Sequence, residues 1–114
     1  MIISHYQFGK MVINNHTYTN DLIIHGQNII GDWFRKRGHQ LDIDDLSHVP
    51  LESTSDLIIG TGYYGLLAVN SSVVEYCSRH DITLKSLKTS QAVNLFNDWC
   101  KEKTHLVGAF HLTC

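Results

Sequence analysis

The chain has 114 residues, 43% of them hydrophobic, which fits one compact domain able to bury about two-thirds of the surface its unfolded form exposes. Nine basic and eleven acidic residues give a formal charge of -2, too balanced for a protein that holds nucleic acid by charge, and no run approaches the ~20 apolar residues of a membrane span. Three cysteines behind a start, Met1 to Tyr6, that lacks the basic head and apolar run of a signal peptide point to reduced thiols and a cytoplasmic protein.

The first half reads as β structure. Tyr6 to Ile13 is a strand interrupted at Gly9, where a bend or bulge is expected, and Asn14-Asn15 supplies turn chemistry. Thr17 to Ile24 and Asn28 to Phe34 read as further strands around a hairpin turn at His25-Gly26-Gln27. Asp44-Asp45 would cap a short helical turn that Pro50 ends. The connector from Val49 to Ser55 is too short to separate domains, so it is a seam inside one domain over residues 1–114.

After that seam strand and helix patterns alternate. Leu57-Ile58-Ile59 is an apolar run bounded by Asp56 and Gly60, as for a strand buried on both faces. Ser72 and Glu75 have the spacing of a capping box, opening a helix near 71–80 with Val73, Tyr76, Cys77 and His80 on one face. Ile82 to Leu84 is a short strand. Thr89 or Ser90 then caps a helix near 90–103, with Ala92, Phe96, Trp99 and Cys100 on one stripe, and Leu106 to Leu112 is the last strand. The order βαβαβ makes the three C-terminal strands parallel, so their ends at Gly60-Thr61-Gly62, Lys85-Ser86 and Thr113-Cys114 share one edge. In open α/β sheets ligands bind at that edge.

An ordered set of residues carries a resemblance: Phe8-Gly9, Tyr18, Asp21, Trp33-Phe34-Arg35, His39, Asp45, Asp56 to Gly62, Ala92-Val93, Asn97 and Phe110 to Cys114. Through these the chain resembles the Mth938-like family, the family of domain of unknown function 498, over nearly its whole length. The resemblance implies a three-layer α/β fold, with a β-hammerhead element in the β-rich first half and a partly parallel sheet in the βαβαβ second half. Relatives implied by it include bacterial proteins without an assigned activity, a mitochondrial assembly factor for respiratory complex I, and an adipogenesis-associated cytosolic protein. The chain lacks the N-terminal extension expected of a mitochondrial member and so looks like a compact bacterial-type protein. The resemblance brings no catalytic residues with it.

Each chemical constellation competes with a plainer explanation. Gly60-Thr61-Gly62-Tyr63-Tyr64-Gly65 matches the G-x-G-x-x-G of dinucleotide binding, but the helix does not open within the motif and Asp81 precedes its strand instead of ending it. A tight turn, or a small anion nest of backbone N–H groups, fits better. Cys77 and His80 with His111 and Cys114 would make a Cys2His2 set, yet Cys77 and His80 fall on an apolar helix face, so no metal is expected. His111 with Thr113 or Cys114 would make a nucleophile–base pair, but no orienting acid stands at a telling position, and the carboxylate of a terminal Cys114 would blunt its thiol. Asp42, Asp44 and Asp45 lack the spacing of a calcium loop. Trp33-Phe34-Arg35 is the favoured partner surface, with alternation burying one ring and exposing the other.

The expected function is therefore a non-enzymatic protein-binding or assembly-factor-like module without cofactor or metal. Exposed strand edges in the first half would be covered by a second copy in a homodimer. The alternative is a small enzyme or small-anion-binding protein with its pocket at Gly60, Thr61, Gly62, His111 and Thr113. There, the dipole of a helix capped at Ser71-Ser72 and a protonated His111 would attract the ligand.

Overall fold

The structure, a computed structural model, describes residues 2–114. β1 (Ile3–Gln7) and β2 (Lys10–Ile13) form an antiparallel hairpin, and β3 (His16–Tyr18) pairs with β2 to complete a three-stranded sheet. The strand expected over Tyr6–Ile13 is thus two, because Gly9, at φ +75°, reverses the chain where a bend was expected. β4 (Leu22–His25) starts a different sheet, so the expected Thr17–Ile24 strand is also split, at Thr19-Asn20-Asp21. β5 (Asn28–Ile30) pairs with β4 and stops well short of Phe34. Asp32 takes φ +49° there, and Trp33 turns inward, its backbone N–H donating to the Asp21 carbonyl and its indole N–H to the Asp45 carbonyl, both at 2.9 Å.

β6 (Gln40–Leu41) precedes two 3-10 turns, Ile43–Leu46 and Leu51–Ser53. Asp42 starts the first of these: its N–H donates to the Asp45 carboxylate at 2.9 Å. β7 (Asp56–Thr61), β8 (Ala68–Val69), α1 (Ser71–Arg79), β9 (Thr83–Leu87), α2 (Thr89–Trp99) and β10 (Leu106–His111) follow. The cap of α1 is Asn70, whose side-chain oxygen accepts from the Ser72 N–H at 2.8 Å, so the Ser72–Glu75 capping box does not form. Ser72 Oγ instead accepts the Ile43 N–H at 3.1 Å, tying α1 to the first 3-10 turn. α2 ends at Trp99, short of residue 103; Lys103 lies beyond it, approaching Asp56 at 3.5 Å and the Trp99 ring at 5.0 Å.

The large sheet has the order β5-β4-β10-β7-β9. β10 and β9 both run parallel to β7, as the βαβαβ pattern requires, and β4 lies antiparallel to β10. Every residue of β7 and β10 is buried, because successive side chains enter cores on opposite faces of the sheet. Leu57, Ile59, Val107 and Ala109 pack with Trp33, Leu41, Val73 and Cys77 on the α1 face. Ile58, Leu106 and Phe110 pack with Met11, Ile13, Ala92 and Phe96 on the α2 face, where the three-stranded sheet also closes the core. Among the described residues no helix is long and apolar enough to cross a membrane.

Candidate functional site

Parallel pairing sets His111 opposite Thr61, Phe110 opposite Gly60, and Gly60 opposite Leu87, so the strand ends meet at one edge. The helix that starts between them is α2. Buried Thr89 accepts the Gly62 N–H on Oγ1 at 2.8 Å, donates that hydroxyl to the His111 carbonyl at 2.6 Å, and donates its N–H to the Gly62 carbonyl at 3.1 Å. One residue therefore joins β7, α2 and β10, while α1 opens at Ser71 with Asn70 as its cap.

Most N–H groups of the loop after β7 are spent on the chain itself. The N–H of Gly62 goes to Thr89, of Tyr63 to the Thr113 carbonyl, of Gly65 to Gly62, of Leu66 to Cys114 and of Leu67 to Thr61. The Thr61 hydroxyl donates to the Leu87 carbonyl at 3.0 Å. A nest for an anion needs such groups free and convergent. The glycines serve close packing instead: a Cβ on Gly60 would lie 2.9 Å from Thr89 Oγ1, and one on Gly62 would collide with the carbonyl carbon of Cys114.

The polar chemistry lies one strand over. His111 Nδ1 is 2.7 Å from Asp21 Oδ2, Arg35 Nη1 is 2.8 Å from the same oxygen, and the Leu112 N–H donates to Asp21 Oδ1 at 2.7 Å. Arg35 also donates through Nη2 to the Gly38 carbonyl at 2.9 Å and lies 4.9 Å above the Trp33 ring. Side-chain exposure is 6% for His111, 4% for Arg35 and 13% for Asp21. Burial opposes ionisation of the Asp21 carboxyl, but hydrogen bonds from His111, the Leu112 N–H and Arg35 outweigh it and hold the group below its usual range. An ionised carboxylate at 2.7 Å requires a proton on Nδ1, which leaves Nε2 as the lone-pair nitrogen of the neutral ring. His111 Nε2 is buried without a hydrogen-bond partner, as is Arg35 Nε. The exposed His39 ring stands edge-on to His111 at 6.1 Å. Tyr6, on β1, donates its hydroxyl to the Leu112 carbonyl at 2.9 Å; burial and the nearby Tyr63 and Asp21 push its phenol up to about 12, against a lowering contact with Thr89.

Of the expected partner triplet, only Phe34 faces solvent, at 73% exposure; Trp33 and the Arg35 side chain are interior, because both serve the packing around Asp21 and Asp45. The larger aromatic surface is elsewhere. Phe8, Tyr63 and Tyr64 cluster with ring centroids 5.1–6.1 Å apart, Tyr63 edge-on to both others, and are each about half exposed. Among the described residues no group of three or more His, Cys, Asp or Glu side chains is placed to hold a metal. Cys77 is buried, which pushes its thiol up, and His80 stacks on Tyr76 at 4.2 Å.

A model of the family described as protein of unknown function, DUF498/DUF598, matches residues 3–111. The chain belongs to this family. Its fold is also similar to that of a conserved hypothetical protein from Pyrococcus horikoshii, 23% identical with all of both chains covered and a TM-score of 0.82. A Bartonella henselae protein described as an outer membrane protein is 23% identical, with 98% of this chain and 94% of that one covered and a TM-score of 0.81. A Bordetella pertussis protein described as a Mth938-like domain is 15% identical, with 97% and 85% covered and a TM-score of 0.74. These likenesses establish the Mth938-like fold.

Within this DUF498 chain the acid that sequence reasoning found wanting is Asp21. The signal for it was the pairing of β4 with β10: Leu22 lies opposite Phe110, which puts the residue before β4 beside the residue that ends β10. Nothing in the local sequence of either strand announces that pairing.

Proposed function

We propose that the protein is a non-enzymatic, assembly-factor-like binding module that receives an extended segment of a partner protein along β9. The observation that supports this reading is a continuous exposed face. The Phe8, Tyr63 and Tyr64 rings run into an open groove of about 590 Å³ whose lining includes Tyr64, Leu67, Val69, Val74 and Leu84. β9 ends the sheet order, and among the described residues no strand pairs with its outer side, so its edge can accept a strand. Exposed aromatic surface is typical of the core of a docking patch. Lys85 on β9 and Lys88 beside Gly65 favour acidic residues in the incoming segment. The setting this reading assigns is cytoplasmic.

The test compares wild type with Val74→Asp and Tyr64→Ser in affinity capture from the native host, followed by hydrogen exchange on the recovered complex. Capture that both variants abolish without lowering the melting temperature, together with new protection over residues 83–87, is the expected result. A partner retained by both variants refutes the surface. A concentration-dependent dimer that Val74→Asp dissolves would make a second copy of this chain the occupant and overturn the partner reading.

A further inference from the structure

We propose that the segment received along β9 alternates apolar and acidic residues and pairs with the backbone of Leu84 and Ser86. The pattern rests on the docking reading above and adds to it a register and a side-chain order. The register follows from the ladder. Thr83 donates its N–H to the Ser55 carbonyl at 3.0 Å, and β9 runs parallel to β7 with Thr83 opposite Asp56. Along a strand the backbone groups of alternate residues point to the same neighbour, so those of Thr83, Lys85 and Leu87 face β7. Those of Leu84 and Ser86 face outward. Among the described residues nothing hydrogen-bonds to the two N–H and two carbonyl groups that they present.

The two faces of β9 dictate the partner's side chains. Leu84 packs against the core on the α1 side and Leu87 against the core on the α2 side, so successive residues alternate between them. Leu84 and Ser86 line the open groove together with Leu67, Val69 and half-exposed Val74. Residues of the incoming strand opposite Leu84 and Ser86 therefore point into an apolar trough and are themselves apolar. The residue between them lies opposite Lys85, on the other face. Lys85 and Lys88 are exposed and, among the described residues, in no ion pair. A carboxylate opposite Lys85 complements that charge. The same lysine argues against a second copy of this chain. An antiparallel self-pairing that uses all four free groups sets Leu84 against Ser86 of the other copy and Lys85 against Lys85, and like charges directly opposite destabilise such a pair.

Three capped peptides serve as probes: Ser-Val-Glu-Val-Glu-Val-Ser, the same composition in blocks as Ser-Val-Val-Val-Glu-Glu-Ser, and Ser-Val-Lys-Val-Lys-Val-Ser. In NMR of the wild-type chain the first should slow solvent exchange at the Leu84 and Ser86 amides. The block peptide should bind about tenfold more weakly, because no register puts its valines on one face and its glutamates on the other. Lys85→Glu, at an exposed position, should reverse the charge preference and favour the lysine peptide about tenfold. Equal binding of the alternating and block peptides overturns the proposal, as does a charge preference that Lys85→Glu leaves unchanged. No slowing at Leu84 and Ser86 with about 1 mM alternating peptide overturns it as well. The docking reading falls on a different result, a partner that Val74→Asp and Tyr64→Ser both retain. Capture lost in both variants, with equal binding of the two acidic peptides, sinks the alternation alone.

Discussion

Asp21 is the residue on which the buried charges depend, since Arg35 and His111 both meet its Oδ2. Asp21→Asn should cost about 3–5 kcal/mol, the range for leaving a buried charge without its partner, read as a lower urea midpoint. The pH dependence has a definite sign. A carboxyl held below its unfolded pKa stabilises the fold above about pH 4, and that contribution is lost as the pH falls through the lower folded value. The gap between wild type and Asp21→Asn should therefore narrow below about pH 4, and a gap that stays constant would remove this account. Tyr6 behaves oppositely in alkali. Its phenol is raised to about 12, so its contribution is present below the unfolded value near 10 and is lost as pH rises through the folded one. Ultraviolet titration should show one late tyrosine that Tyr6→Phe eliminates. Gly62 depends on geometry alone. At φ +105° and with Cys114 in the way of a Cβ, Gly62→Ala should cost about 3 kcal/mol, against about 1 kcal/mol for Gly26→Ala, which has φ +59° and open space. Thermal melts of the two variants make the comparison, and equal losses would mean that close packing contributes nothing.

At the level of elements, Thr89 holds the strand-end edge together, because its hydroxyl is shared between the Gly62 N–H and the His111 carbonyl. Thr89→Val keeps the shape and removes both bonds, so it should destabilise by about 2–3 kcal/mol and speed amide exchange at Gly62 first. Thr89→Ser, which retains the hydroxyl, should cost clearly less. If the two variants melt together, the hydroxyl bridge is not what joins these elements. The elements were legible where they bury a whole face. Leu57-Ile58-Ile59 and Leu106 to Leu112 read as strands because fully buried parallel strands carry uninterrupted apolar runs, and the helices between them forced the parallel direction. The first half was read less well for the same reason in reverse. Its strands are two to five residues long, and the breaks at Phe8-Gly9 and Thr19-Asn20-Asp21 are turns whose need arises from pairing with distant partners. The α1 cap shows the same limit: Ser72 and Glu75 have capping-box spacing, yet Asn70 takes the position and frees Ser72 to hold Ile43.

Over the whole molecule, the order of strands joins halves that look separate in the sequence. β10 lies between β4 from before Pro50 and β7 from after it, so the strand that ends at His111 is built into the fold by both. The shared edge of the parallel strands was legible for this reason, and its charged centre was not. Asp21 and Arg35 come from the first half and reach His111 only through the β4–β10 pairing, a contact 90 residues apart in sequence. The same order predicts how the molecule comes apart. A fragment over residues 51–114 would keep β7, β9, β10 and both helices but leave one side of β10 without its ladder partner. It would also uncover the face where Ile58 and Phe110 meet Met11 and Ile13. An open apolar edge of that kind costs both unsatisfied backbone groups and lost burial, the latter about 1.5–3 kcal/mol for each large side chain. We therefore expect the chain to fold as one unit, with fragments 1–50 and 51–114 each unfolded alone and recovering a cooperative melt when co-expressed. Circular dichroism and amide dispersion in NMR spectra are the measurements. A 51–114 fragment that melts cooperatively without the first half would show that the seam at Pro50 is a domain boundary after all.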